Sequence, residues 1–175
     1  MAAQSPGRAG TALQFAGFEV GQSLDAVAAR ASMMGGRLRC DRSRSDATLR
    51  DCRAVLRDST GGRIELWLSA VDSGVSVMTL AARVGPADLA RWQGELLSRH
   101  GSTRETQHGI QHTLQWIRAN TMLRLTWRAE PEGTMASVSL VDGARLDAWG
   151  RRTEHRIHPA TRADSVRADS AAPIR

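Results

Sequence analysis

Twice along this chain, a helical stripe of apolar residues stops at glycine and gives way to segments in which apolar residues alternate with Arg, Ser, Thr or Gln. A period of 3.6 followed by a period of two confines the chain to an α+β arrangement, with helices laid on one face of an antiparallel sheet. Ser23 is placed to cap a first helix that carries Leu24, Val27, Ala28 and Ala31 on one side and ends at Gly35-Gly36, where left-handed backbone costs least. A second helix opens at Pro86, whose missing N–H does no harm at a first helical position. It carries Leu89, Trp92, Leu96 and Leu97 and ends at Gly101. Leu24 to Leu89 and Gly36 to Gly101 share one offset, 65 residues. That fits a helix-then-strands duplication, and it also fits two similar helices at a chance spacing.

Strand pairing can be predicted by register, because residues opposite each other in an antiparallel pair share a face. A two-residue turn at Ala119-Asn120 sets Trp116 opposite Leu123, Leu114 opposite Leu125 and His112 opposite Trp127. On the other face it pairs Gln115 with Arg124 and Gln111 with Arg128. A three-residue loop at Asp72-Ser73-Gly74 sets Leu68 opposite Met78, Leu66 opposite Leu80 and Ile64 opposite Ala82. A further loop, Val141-Asp142-Gly143, pairs Leu140 with Ala144 and Val138 with Leu146. Earlier strands at about 37–42 and 51–57 turn Leu38, Cys40, Cys52, Ala54 and Leu56 inward, with a polar, mobile loop from Asp41 to Arg50. The expected fold is therefore an antiparallel sheet of about seven strands with two helices on its one apolar face.

A chain of 175 residues with 41% hydrophobic content can bury one sizeable core. The expected organisation is a disordered segment at 1–12, one α+β domain at 13–150 preceded by the lead-in Phe15, Phe18 and Val20, and a disordered basic tail at 151–175. The net charge is +6, and every basic residue is Arg. A bias that complete also fits genomic base composition, so the charge has a functional and a compositional reading. Six Arg against three acids from Gly150 onward, a surplus of three, place half of the net charge in the tail. No apolar run approaches the roughly 18 residues that span a bilayer. The opening Ala2-Ala3-Gln4-Ser5-Pro6 reads as the polar start of a mature exported protein. The expected location is thus periplasmic or secreted if a leader precedes this sequence, and cytoplasmic otherwise.

Cys40 and Cys52 lie at matched inward positions on neighbouring strands, and they read either as a cross-strand disulfide or as two buried thiols. Two cysteines without histidines at finger spacing do not make a zinc site, so no metal and no cofactor is expected. His108 and His112 would share an ion on a helix, but on a strand they stand about 13 Å apart. His112 is instead expected to pack against Trp127. No nucleophile elbow, phosphate loop or dinucleotide fingerprint occurs. Trp92, Trp116 and Trp127 are expected in the core. The outward sheet face carries Arg37, Arg39, Arg53, Arg57, Arg63, Arg124 and Arg128 with Trp67 and Trp149. The candidate binding residues are Arg53, Arg57, Arg63, Trp67, Arg124 and Arg128. Arginine beside tryptophan suits phosphate or carboxylate contacts with stacking. A solvated face is the alternative, with the two tryptophans covered by the tail or by a second subunit of a homodimer.

The stretch Gly21-Gln22-Ser23-Leu24-Asp25-Ala26-Val27, entering a helix that a glycine stops before antiparallel strands, resembles the opening of small bacterial extracytoplasmic domains of the β-lactamase-inhibitor and SmpA/OmlA lipoprotein type. The resemblance covers one motif and the element order, and no lipobox cysteine comes with it. It implies a non-enzymatic interaction or assembly domain that binds a protein partner through its sheet. Two other functions stay open: a nucleic-acid or other anionic-polymer binder working through the face arginines, and a small hydrolase using His108 or His112.

Overall fold

The computed structural model describes residues 12–157, and the expectations for 1–11 and for the tail beyond Ile157 lie outside the described residues. A short hairpin, β1 (Gln14–Phe15) and β2 (Phe18–Glu19), leads into α1 (Leu24–Met33). Four strands follow: β3 (Arg39–Arg42), β4 (Leu49–Arg57), β5 (Arg63–Val71) and β6 (Gly74–Val84). After α2 (Pro86–His100) come β7 (Thr106–His108), β8 (Gln111–Arg118), β9 (Thr121–Glu130) and β10 (Gly133–Asp142), and then α3 (Gly143–Ile157). Eight strands form one antiparallel sheet in the order β3-β4-β5-β6-β10-β9-β8-β7. The α+β class stands, while the counts of seven strands and two helices are corrected, among the described residues, to eight strands in the main sheet and three helices.

Both expected helices form for the expected reasons. Ser23 Oγ accepts the Ala26 amide at 3.2 Å, and Gly35 takes φ +71° just past the last turn of α1. Gly36 is needed for another reason: a Cβ there would lie 2.6 Å from the Val55 carbonyl oxygen, so α1 meets β4 closely only because that atom is missing. Helix α2 stops at Gly101, with φ +88°. Val27, Ala31, Trp92 and Leu96 join the inward residues of β4, β5, β6, β8, β9 and β10 in one core. Phe15 and Phe18 of the lead-in hairpin are sealed into it, the Phe15 ring 5.0 Å edge-on from Trp92. Trp116 is also buried, and Trp127 packs against the core half-exposed. A buried Leu or Phe contributes about 1.5–3 kcal/mol, so this layer between helices and sheet is the main source of stability.

The registers at Ala119-Asn120 are those expected, from Arg118 opposite Thr121 to Gln111 opposite Arg128. Leu123 and Leu125 are fully buried while Arg124 and Arg128 are exposed, so parity holds across β9. Between β5 and β6 the pairs Leu66–Leu80 and Leu68–Met78 form, but the turn differs. Asp72 and Ser73 both take positive φ, making a two-residue turn with Val71 opposite Gly74. A bulge at Ser76 then shifts the ladder by one and restores the expected partners. The loop after β3 is also shorter than expected, because β3 reaches Arg42 and β4 starts at Leu49.

The proposed hairpin at Val141-Asp142-Gly143 is wrong, since residues 143–157 are helical. Asp142 Oδ1 accepts the Arg145 amide at 3.0 Å, which is an N-cap, and the run Ala144-Arg145-Leu146-Asp147-Ala148 has no β-branched residue to oppose a helix. Helix α3 runs on past Gly150 through the first residues of the expected tail. Trp149, expected on a strand, is therefore on this helix, where its Nε1 donates to Asp46 Oδ2 at 2.8 Å. Arg152 pairs with Asp72 at 2.8 Å, which draws α3 along the β5–β6 turn. Val71 points away from the core by parity yet is fully buried, so α3 closes that end of the outer face.

Candidate binding face

The outer face is built by pairing. One row of side chains crosses the sheet through Arg39, Arg53, Trp67, Thr79, Ser139, Arg124 and Gln115, each opposite the next. Thr79 and Ser139 share a hydroxyl hydrogen bond of 3.1 Å, and Thr126 and Ser137 one of 2.7 Å. The centre of the face is therefore a lane of small hydroxyl residues with arginines on both sides. Four strand spacings separate Arg53 from Arg124, about 19 Å. The six candidate residues do not form one patch.

Arg53, Arg63 and Trp67 line one cavity of about 400 Å³ together with Arg37, Arg39 and Val55. The Gly35-Gly36 link leaves one wall bare of side chains. Trp67 and Val55 are 46% and 48% exposed, unusual for large apolar groups on an ordered strand. Smaller depressions of about 320 and 260 Å³ continue the hollow over Ala81 and Met135 toward β9.

Counter-charges divide the arginines. Arg63 pairs with Glu65 at 2.9 Å, and Arg128 with Glu130 at 2.8 Å. Arg124 donates to Gln115 Oε1 at 2.8 Å, and Arg57 to the Gly61 carbonyl at 3.2 Å. Arg39 and Arg53 stand opposite each other, both exposed, with no ion pair or hydrogen bond among the described residues. Asp41 and Asp51 follow two residues along the same face, but Asp51 instead accepts from Ser69 Oγ at 2.5 Å. Two like charges directly across a strand pair repel, so an anion between them would be stabilising.

The cleft between α1 and α2 contrasts with this. Its Arg91 bridges Asp88 at 2.8 Å and Asp58 at 3.3 Å, and Arg30 Nε donates to the Ala16 carbonyl at 2.8 Å. Partial burial pushes the Asp58 carboxyl up, but hydrogen bonds from Thr60, Gly62 and Arg91 together hold it below its ordinary value. That cleft is internally neutralised, and the outer face at β3–β4 is not.

Of the two readings of Cys40 and Cys52 the disulfide is the one present: they are opposed across β3 and β4, Cα atoms 4.0 Å apart. Cys52 is buried as expected, but Cys40 is exposed because β3 is the sheet edge. His112 stacks on Trp127 with centroids 5.3 Å apart, as expected, and its Nδ1 lies 2.7 Å from Glu105 Oε1. His108 sits exposed on β7. No group of metal-ligating side chains occurs among the described residues. The outward parity of Val55 and Glu65 was readable from the strand and would have flagged both the apolar floor and the neutralised Arg63.

Fold and face together define a class: an α+β domain built on one large sheet, with a tryptophan and three arginines, Arg37, Arg39 and Arg53, uncompensated among the described residues on its open surface. No protein-family model, curated protein or solved structure matches the chain.

Proposed function

We propose that this protein is a non-enzymatic interaction domain that holds an acidic partner on the outer face of its sheet in an oxidising, extracytoplasmic compartment. The observation that carries the reading is the row Arg39–Arg53–Trp67, exposed and, among the described residues, without a counter-charge on either arginine. The disulfide supports the compartment, since such bonds persist where thiols are not kept reduced. A module of the β-lactamase-inhibitor or SmpA/OmlA type, binding through its sheet, accords with this. Two copies joined face to face would set Arg39 and Arg53 against their own images, which argues against a homodimer through this surface. The anionic-polymer reading has less support as nucleic-acid binding, because Trp67 is a lone aromatic in the row and a single strand is held by successive stacking platforms.

Immobilised heparin serves as a generic acidic partner. The full chain should be retained at low salt and elute earlier as the double variant Arg39→Glu/Arg53→Glu, with a smaller change for Arg124→Glu. Equal shifts for both variants would point to bulk charge, and absence of retention at low salt would refute the proposal.

A further inference from the structure

The cavity floored by Trp67 and Val55 has a chemistry narrower than a charged face. Its large apolar side chains, Trp67 and Val55, are exposed, and its lining holds four arginines against one glutamate, a surplus of three positive charges. Arg63 is taken by Glu65, which leaves Arg37, Arg39 and Arg53 for a ligand. Guanidinium forks match a carboxylate in two parallel N–H···O bonds, and an indole face prefers a flat ring in offset contact. A volume of about 400 Å³ lies in the range of small-molecule sites.

We propose that this cavity binds a small aromatic carboxylic acid, its carboxylate between Arg39 and Arg53 and its ring over Trp67 and Val55. The inference rests on the binding reading above and narrows it to one half of the face. Cross-strand pairing fixes the elements: Arg39 opposite Arg53, and Arg53 opposite Trp67, so a carboxylate midway between the arginines lies one and a half strand spacings from Trp67, about 7 Å. A carboxylate on a fused bicyclic ring spans that separation.

The test is calorimetric titration of the full chain with 2-naphthoate, beside 2-naphthalenemethanol and cyclohexanecarboxylate. Naphthoate should bind, and the neutral alcohol and the saturated acid should each bind at least tenfold more weakly. Arg53→Ala and Trp67→Ala should each weaken naphthoate at least tenfold, while Arg104→Ala, an exposed position outside the cavity, should leave it unchanged. Both altered side chains are exposed, and circular dichroism verifies that the variants fold. Equal binding of the alcohol, or insensitivity to Trp67→Ala, would overturn the proposal. Heparin retention that depends on Arg39 and Arg53 together with no naphthoate binding would overturn it too, while leaving the broader binding reading intact.

Discussion

Reducing the Cys40–Cys52 bond tests how much of the fold depends on one cross-link. The bond closes a loop with a sequence separation of 12. Removing that closure from the unfolded ensemble corresponds to roughly 3 kcal/mol at 25 °C. Strand β3 is a four-residue edge strand with every residue exposed, so little else holds it to β4. Urea unfolding of the same protein with and without a dithiol reductant isolates the cross-link, because reduction leaves both side chains in place. With a slope of about 2 kcal/mol per molar urea, the midpoint should fall by about 1.5 M. Hydrogen exchange should show β3 amides losing protection first, with those of β5, β6 and β10 nearly unchanged. A midpoint shift below about 0.3 M with β3 protection intact would refute the entropic account.

Gly36→Ala should destabilise the fold by about 1–3 kcal/mol in the same urea assay, because the new methyl would press on the Val55 carbonyl, whereas Gly94→Ala, with open space around it, should be neutral or stabilising. His100 is buried, with Nε2 on the Gln14 carbonyl at 2.8 Å and Nδ1 without a partner, and burial with the nearby Arg118 and Arg99 lowers its pKa below 6.5 despite the Gln14 bond. The unfolded chain therefore takes up the proton first. Stability should be full above about pH 6.5 and fall as pH drops toward the lowered native value, and His100→Gln should flatten that part of the profile between pH 7.5 and 5.5. An unchanged slope in that variant would assign the pH dependence elsewhere. Asp46→Ala should cost about 1–3 kcal/mol, since Asp46 accepts from Thr48 and from Trp149. Adding Trp149→Phe should then cost less than it does alone, and full additivity would show that the two do not act together.

Much of the sheet was legible because pairing constrains two residues at once. His112 opposite Trp127 and Leu114 opposite Leu125 follow from parity and turn length, Cys40 opposite Cys52 from matched positions on neighbouring strands, and all form. The β5–β6 turn shows the limit of that logic. A three-residue loop and a two-residue turn with a bulge at Ser76 give the same downstream register, so the pattern cannot separate them. Helix α3 was missed because Val138, Leu140, Ala144 and Leu146 satisfy a strand register on one side of a glycine-bearing turn. What decides against it is local: the Asp142 cap and the Gly143 amide, which donates to Asn120 at 2.7 Å.

The candidate site was legible only by face, because parity says which arginines share a surface and nothing about which are neutralised. Glu65 and Glu130 remove Arg63 and Arg128 from the free set, and each lies two residues from its partner on the same strand and face. Arg39 and Arg53 have Asp41 and Asp51 at the same spacing, yet those carboxylates face one another across the β3–β4 pair. The hydroxyl of Ser69 claims Asp51, and the arginine pair is left open. At the opposite end α3 buries Val71 and binds Asp72. The turn end of the outer face is thus closed, and the open arginines stand at the edge where β3 is pinned by its disulfide. Any partner that needs Arg39 must therefore meet a strand whose position depends on Cys40 staying bonded to Cys52.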